Sequence, residues 1–269
     1  MDLSIVVSSY GRFEYIRNLV FACEQNLKML DYEIVAVTSD PADSEKNIWL
    51  SQQPRVKLIA VADRLPGQKR SRSLYFYENA GLREAKGDWI LINNDDTTVS
   101  ADLGQAFLNE RSSADILIIP TEIDDVALGR RAPVVGEIVR VTGSTPLYLM
   151  DFAIFHKTVF EKIGYADEGF DWYGRGLDMA IRVGIFAPEL RVCPLKQGHL
   201  VHHLADENRT PPHYALDFGY LDQKWKRILK NHPDLRLELF DWGKGLRLPK
   251  FYLVYLWPLL RKVKQRLLG

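Results

Sequence analysis

The first sixty residues alternate short apolar runs with amphipathic stretches, and that rhythm narrows the fold more than anything else in the chain. Leu3 to Ser9 is a continuous apolar run of the kind buried on both faces of a parallel sheet. It ends in Ser8-Ser9-Tyr10-Gly11-Arg12, where Gly11 turns the chain. From about Phe13 to Leu30, Ile16, Leu19, Val20, Cys23 and Leu27 recur at helical spacing. Tyr32 to Thr38 is a second strand, Asp43 or Ser44 can cap a second helix through Trp49, and Val56 to Val61 is a third strand. Strand, helix, strand, helix, strand predicts an α/β chain with one mainly parallel, doubly wound sheet flanked by helices.

Composition removes several classes. Lys plus Arg equals Asp plus Glu at 35 each, so the formal charge is zero and a general nucleic-acid binder is not expected. Cys23 and Cys193 lie in or beside apolar sequence with no partner at metal spacing, and read as reduced core residues. Asp2 and the brevity of Ile5-Val6-Val7 do not fit a signal peptide. No apolar run approaches the roughly 20 residues of a spanning helix.

The chemistry concentrates between Lys86 and Thr98. Gly87 and Asp88 end a helix, Trp89 to Ile92 is a short buried strand, and Asn93, Asn94, Asp95 and Asp96 stand at its exit. Two adjacent acids there are poor core material, since buried charge is costly unless paired or metal-bound. The carboxyl edge of an open α/β sheet is where ligands sit. Mn²⁺ or Mg²⁺ takes one or two protein carboxylates and completes its shell from phosphates. Upstream, Lys69, Arg70 and Arg72 fall in or near the first turn of a helix reaching about Ala85, where cations are unfavourable unless an anion docks. A diphosphate held between those cations and a metal on Asp95 or Asp96 reconciles both features.

Three segments, S-I-V-V-S-S-Y-G-R, Y-E-I-V-A-V-T-S-D and N-A-G-L-R-E-A-K-G-D-W-I-L-I-N-N-D-D-T, resemble the family-2 glycosyltransferases of the A-type, nucleotide-sugar-binding fold over roughly residues 3 to 203. The resemblance implies transfer of a sugar from a nucleotide-sugar donor, a UDP-sugar above all, with inversion and with a divalent metal on a D-x-D motif. Asn94-Asp95-Asp96 falls on that motif, with Asn94 in place of the first acid. It makes Asp96 the principal metal ligand and Asn94 a weaker one. Ser8, Tyr10 and Arg12 fall where the family cradles base and ribose, Asp40 where it contacts the base, and Lys69 and Arg72 near the diphosphate.

The second half departs from the pattern. A helix is expected from about Ala101 to Arg111, a strand over Asp115 to Ile119, an extended segment between Val134 and Val141 and an apolar run over Leu147 to Phe155. Asp151 inside that run is a buried structural acid or an acceptor contact, the structural reading being preferred. In D-W-Y-G-R-G-L-D-M-A-I-R, Arg175-Gly176 replaces the Glu-Asp dipeptide whose Asp is the family's catalytic base, while Asp178 and Arg182 match the pattern. Asp178 is the expected base, with Gly174 and Gly176 as a close-fitting loop before it, and Asp171 is the reserve. The alternative for Asp178 is a helix cap. Trp172 and Tyr173 suit stacking on an acceptor sugar or simple packing. Arg191 to Leu195 reads as the final strand. His202 and His203 follow where the fold brings a His to the metal, and only one of two adjacent side chains points inward if the chain is extended. Asp206 to His213 has the composition of a lid loop.

Beyond Asp241 there is no acid, while Lys244, Arg247, Lys250, Arg261, Lys262, Lys264 and Arg266 are basic. Pro258 can start a helix, and Leu256, Leu260, Val263 and Leu267 then fall on one face. That pattern predicts either a helix lying in an anionic membrane surface or one packed on the domain or a dimer partner. The expected organisation is a catalytic domain over 1–212, with a nucleotide-sugar half (1–100) and an acceptor half (101–212), and a helical extension over 213–269. The expected activity is transfer to a glycan or polyprenyl-linked acceptor in cell-surface polysaccharide synthesis, at the cytoplasmic face of a membrane. The rivals are a catalytically inactive sugar-binding relative and a sugar nucleotidyltransferase.

Overall fold

The computed structural model describes residues 1–62, 73–125, 130–134, 138–139, 147–203 and 211–231. Lys69, Arg70, Arg72, most of the expected lid and the basic stretch after Asp241 lie outside these residues. In chain order the elements are β1 (Leu3–Ser8), α1 (Phe13–Asn26), β2 (Tyr32–Thr38), α2 (Glu45–Ser51), β3 (Val56–Ala60), α3 (Leu74–Glu84), β4 (Trp89–Asn94), β5 (Thr97–Val99), α4 (Leu103–Glu110) and β6 (Ile116–Ile118). There follow β7 (Thr121–Asp125), β8 (Arg130–Val134), β9 (Ile138–Val139), β10 (Leu147–Tyr148), β11 (Ala153–His156), α5 (Thr158–Ile163), α6 (Arg175–Phe186), β12 (Val192–Pro194), β13 (Leu200–His203) and α7 (Pro211–Lys230).

A seven-stranded sheet in the order β12-β6-β11-β4-β1-β2-β3 carries the fold. Its strands are parallel except β11, which is inserted antiparallel between β4 and β6. Alternate side chains of β1 and β2 feed two cores, as the period of a strand requires. Val6, Val35 and Val37 pack with Leu82 of α3, Val159 of α5 and Met179 of α6. Leu3, Ile5, Ile34 and Ala36 pack with Leu19 of α1, Leu50 of α2 and Phe107 of α4. Gly81 lets α3 lie close on the sheet, because a Cβ there would come within 2.5 Å of Val6 and 2.9 Å of Val37.

Helix α1 ends at Asn26, not near Leu30. Leu27 and Leu30 nevertheless stay buried in the turn that leads to β2, so the apolar spacing runs on after the backbone has left the helix. β12 is not the last strand. Leu200 to His203 joins a second sheet, β5-β13-β7-β8, with His202 opposite Thr97 on one side and Ile123 on the other. A histidine at an inward position hid the two-residue alternation in Leu-Val-His-His. Among the described residues no helix is long and apolar enough to cross a membrane.

Candidate active site

Strands β1 and β4 are adjacent and parallel, with Ser8 level with Asn94, so the loops leaving them emerge together at the carboxyl edge. Arg12 reaches across from the first loop. Its Nη1 lies 3.2 Å from Asp95 Oδ1 and its Nη2 2.7 Å from Asp96 Oδ2, with the guanidinium 4.6 Å from the Tyr15 ring centre. From the other side His202 Nε2 comes within 3.2 Å of Asp96 Oδ1, its ring edge-on to Phe152. The backbone N–H of His203 donates to Asp96 O at 2.8 Å, while the His203 ring turns away to Thr98 and Asp124. Of the two histidines, His202 faces the acids.

The two acids titrate in opposite directions. Asp95 is almost wholly buried, and burial, with the charge of Asp96 adding to it, pushes its carboxyl up to about 6 against the pull of Arg12. Burial also opposes the charge on Asp96, but His202 and Arg12 outweigh it and hold that carboxyl well below the usual range. Among the described residues no cluster of three or more His, Cys, Asp or Glu side chains is arranged around a metal position. The donor chemistry still fits a divalent cation. Asp96 Oδ1 and His202 Nε2 face each other at 3.2 Å beside a second buried acid, a carboxylate and an imidazole of the kinds such a cation takes. A cation that keeps most of its shell for phosphate and water needs no more from the protein. Asn94, half-buried at the end of β4, is the next residue along that edge.

The residues expected to face the nucleoside lie at the exits of β1 and β2. Gly11, in a left-handed conformation at φ +65°, donates its N–H to both carboxylate oxygens of Asp40, at 3.2 and 2.9 Å. Lys46 pairs with the same carboxylate and donates to Ser9 O at 2.9 Å. Asn47 donates to the carbonyls of Asp40 and Pro41 at 3.1 and 2.9 Å. Asp40 is therefore committed to shaping the loop that carries Tyr10, which is 67% exposed, and Ser8, which is half-buried. Lys46 and Asn47 are buried and were not anticipated. The signal is that Lys46 precedes Leu50 by four residues, which places both on the inward face of α2.

The loop 171–174, expected from the sequence to face the acceptor, leads into α6. Asp217 of α7 accepts the backbone N–H groups of Asp171 at 2.7 Å and of Trp172 and Tyr173 at 2.9 Å each. Trp172 is left 55% exposed and Asp171 and Tyr173 half-buried. This carboxylate, which sequence reasoning missed, makes α7 a support for the loop. Asp178 is not placed as a base. It has no exposed surface, and its Oδ1 accepts from Trp225 Nε1 at 2.7 Å and lies 2.7 Å from Lys224 Nζ, with Arg182 Nε 3.0 Å from Oδ2. Nor does its side chain cap α6, which starts after a left-handed Gly174. A carboxylate enclosed by two cations and an indole has no path to an acceptor hydroxyl. Arg175, which stands where the family has Glu, is buried in an ion pair with the fully buried Glu78.

A mainly parallel sheet with two buried acids at the exit of β4 has the architecture of a glycosyltransferase of the A-type fold. The model of Glycosyl transferase family 2 matches residues 4–164, more than half of the chain, and the chain belongs to that family. Among solved structures it is similar in fold to S. aureus TarS 1–349, at 16% identity and a TM-score of 0.55, with 89% of this chain and 76% of that one covered. TarS 1–349 in complex with UDP-GlcNAc gives 16%, 0.56, 91% and 77%. The longer TarS structure gives 17% and 0.58, covering 87% of this chain and 41% of that one. No curated protein matches the chain in sequence.

Proposed function

We propose that the chain moves a sugar, with inversion, from a UDP-sugar to a hydroxyl of a glycan or polyprenyl-linked acceptor in cell-surface polysaccharide synthesis. The observation that carries this reading is the pair of buried acids at the exit of β4 facing Arg12 and His202. Two buried acids at a ligand-binding edge, with Arg12 and His202 against them, suit a diphosphate bridged by a divalent cation. That the fold is shared with a protein solved in complex with UDP-GlcNAc supports the uridine class of donor.

Asp96 and His202, with Asp95 and Asn94 beside them, would hold Mn²⁺ or Mg²⁺. Bound there, the cation supplies charge neutralisation for the departing diphosphate. Arg12 provides a second positive group at the same edge, and Lys69 and Arg72 are proposed to add theirs. The loop fixed by Asp40 and Lys46 presents Tyr10 and Ser8 to the nucleoside. Trp172 and Tyr173 offer ring faces to the acceptor sugar, and Asp171 beside them a carboxylate for one of its hydroxyls.

A panel of nucleoside-diphosphate sugars, each with Mn²⁺, with Mg²⁺ and with chelator, tests the reading through melting temperature and release of nucleoside diphosphate. At a concentration 100 times Kd, a ligand of the native state adds about 2.7 kcal/mol of stability. A UDP-sugar should give that shift with metal, and turnover once an acceptor is supplied. Stabilisation without any turnover would favour the inactive relative.

The basic segment from Lys244 onward is proposed to hold the enzyme to an anionic cytoplasmic membrane face, each Lys or Arg near such a surface adding roughly 1 kcal/mol. Deleting residues from Lys250 should release the protein from anionic vesicles at low salt with its melting temperature kept. Unchanged vesicle binding would overturn this part, and loss of a dimer on truncation would favour packing.

A further inference from the structure

Asp151 stands two residues before β11, at the end of that strand which lies beside the exit of β4, because the two run antiparallel with Ile154 opposite Leu91. Its neighbour Phe152 packs on His202, the imidazole that faces Asp96. On its other side Asp151 is gripped by the start of α6. Gly176 N–H donates to Asp151 Oδ1 at 2.9 Å, Met150 N–H donates to Gly176 O at 3.3 Å, and Arg175 Nη2 donates to the Asp151 carbonyl at 2.5 Å. Arg175 is itself fixed by Glu78. Residue 176 has to be glycine for this arrangement, since a Cβ there would fall 2.5 Å from both Asp151 N and Asp151 Oδ1. The carboxylate thus fills the space that a side chain at 176 would take.

Four other acids on this side are engaged by the protein, and Asp171, half-buried beside Trp172, is the acid proposed above for an acceptor hydroxyl. Asp178 is enclosed, Glu78 is buried under Arg175, Asp217 holds three backbone N–H groups, and Asp167 takes Lys224 and Tyr220. Asp151 is half-buried, with one carboxylate oxygen taken by Gly176 N–H. It lies between the acid turn of the donor side and the Trp172–Tyr173 loop, which precedes Gly176 by three residues.

We propose that Asp151 is the general base of the transfer, with Arg175 and Gly176 as its positioning residues; the proposal rests on the glycosyl-transfer reading above. The proton of the acceptor hydroxyl passes to the Asp151 carboxylate as the acceptor oxygen bonds to the anomeric carbon. The bond from that carbon to the diphosphate oxygen breaks, and its electron pair leaves with the nucleoside diphosphate. A positioned base contributes roughly 10²- to 10⁴-fold in rate.

Asp151→Asn is the test, because the amide oxygen still accepts from Gly176 N–H but takes up no proton at neutral pH. Expected are a fall in kcat of at least about a hundredfold, unchanged nucleoside-diphosphate affinity, and loss of the acidic limb of the kcat/KM profile. Azide, an anion that attacks without losing a proton, should restore release of nucleoside diphosphate with formation of a glycosyl azide. Asp151→Glu keeps a proton acceptor at a shifted position, so a base ranks Glu above Asn in rate. A purely structural acid ranks the isosteric Asn first, whatever either variant loses in stability. Asn above Glu, or Asp151→Asn at the wild-type rate and pH profile, would overturn the assignment while leaving the transferase reading intact. A wild-type protein that consumes no nucleotide-sugar would overturn both.

Discussion

Asp178→Ala is expected to cost about 3 kcal/mol of folding stability, at the lower end of the roughly 3–5 kcal/mol seen when one partner of a buried ion pair is removed. The carboxylate has no exposed surface and ties α6 to α7 through Trp225 and Lys224, and within α6 to Arg182. Removing it leaves the indole N–H without this acceptor and Arg182 buried without its carboxylate. Arg182 keeps the carbonyls of Ile163 and Tyr165 at 2.6 and 2.7 Å. Lys224 keeps Asp167 at 2.6 Å and is 24% exposed, so water makes up part of its loss. These residual partners set the estimate low in the range. Asp178→Asn should cost less, because the amide oxygen still accepts from Trp225. Urea unfolding measures both, and the folded fraction of each variant should turn over donor at close to the wild-type rate. An Asp178→Ala protein that is as stable as wild type but inactive would restore Asp178 as the base.

The parts of the fold legible in the sequence are those where one rule acts alone. β1, β2 and β4 are buried on both faces, so their composition announces them, and Gly11 and Gly87 mark the turns. Ser44 was one of two residues expected to cap α2, and its side chain accepts the N–H of Asn47 there. β13 was missed because a polar histidine occupies an inward position, and burial of His202 depends on Asp96, which comes from the turn between β4 and β5, far earlier in the chain. The acid turn was legible because adjacent carboxylates after an apolar run have few other uses. The acceptor side was not, because its logic is in pairs far apart in the chain: Asp217 with residues 171–173, Asp178 with Trp225, and Arg175 with Glu78. Each of these acids and bases reads locally as a solvated helix charge. Only contact between α6, α7 and α3 turns them into buried structure, and that contact has no local spacing to betray it.

Asp96→Ala should remove the effect of metal on nucleoside-diphosphate binding altogether. In the wild type, UDP is expected to bind much more tightly with Mn²⁺ or Mg²⁺ than with chelator, because a cation held by Asp96 would neutralise the diphosphate's charge. Calorimetric titration of both proteins, with metal and with chelator, reads the difference. Equal affinities in the wild type would remove the metal from the reading of this site. The neighbouring acid adds a dependence on pH. Asp95 has its carboxyl raised to about 6 from 3.8 by burial, with Arg12, Asp96, Ser9 and Lys46 as the groups facing it. The folded state therefore holds a proton that the unfolded chain releases, so this group's contribution to stability is full below the unfolded value. It is lost as pH rises through about 6. The two-unit rise corresponds to at most about 3 kcal/mol, at 1.36 kcal/mol per unit. In chelator, then, Asp95→Asn should be more stable than wild type at pH 7.5, and the gain should shrink as pH falls below 6. Nucleotide affinity in the presence of metal should move the other way in the wild type, weakening as Asp95 takes up its proton. A stability difference that stays flat from pH 7.5 to 5 would mean that Asp95 remains charged throughout, balanced by Arg12 alone.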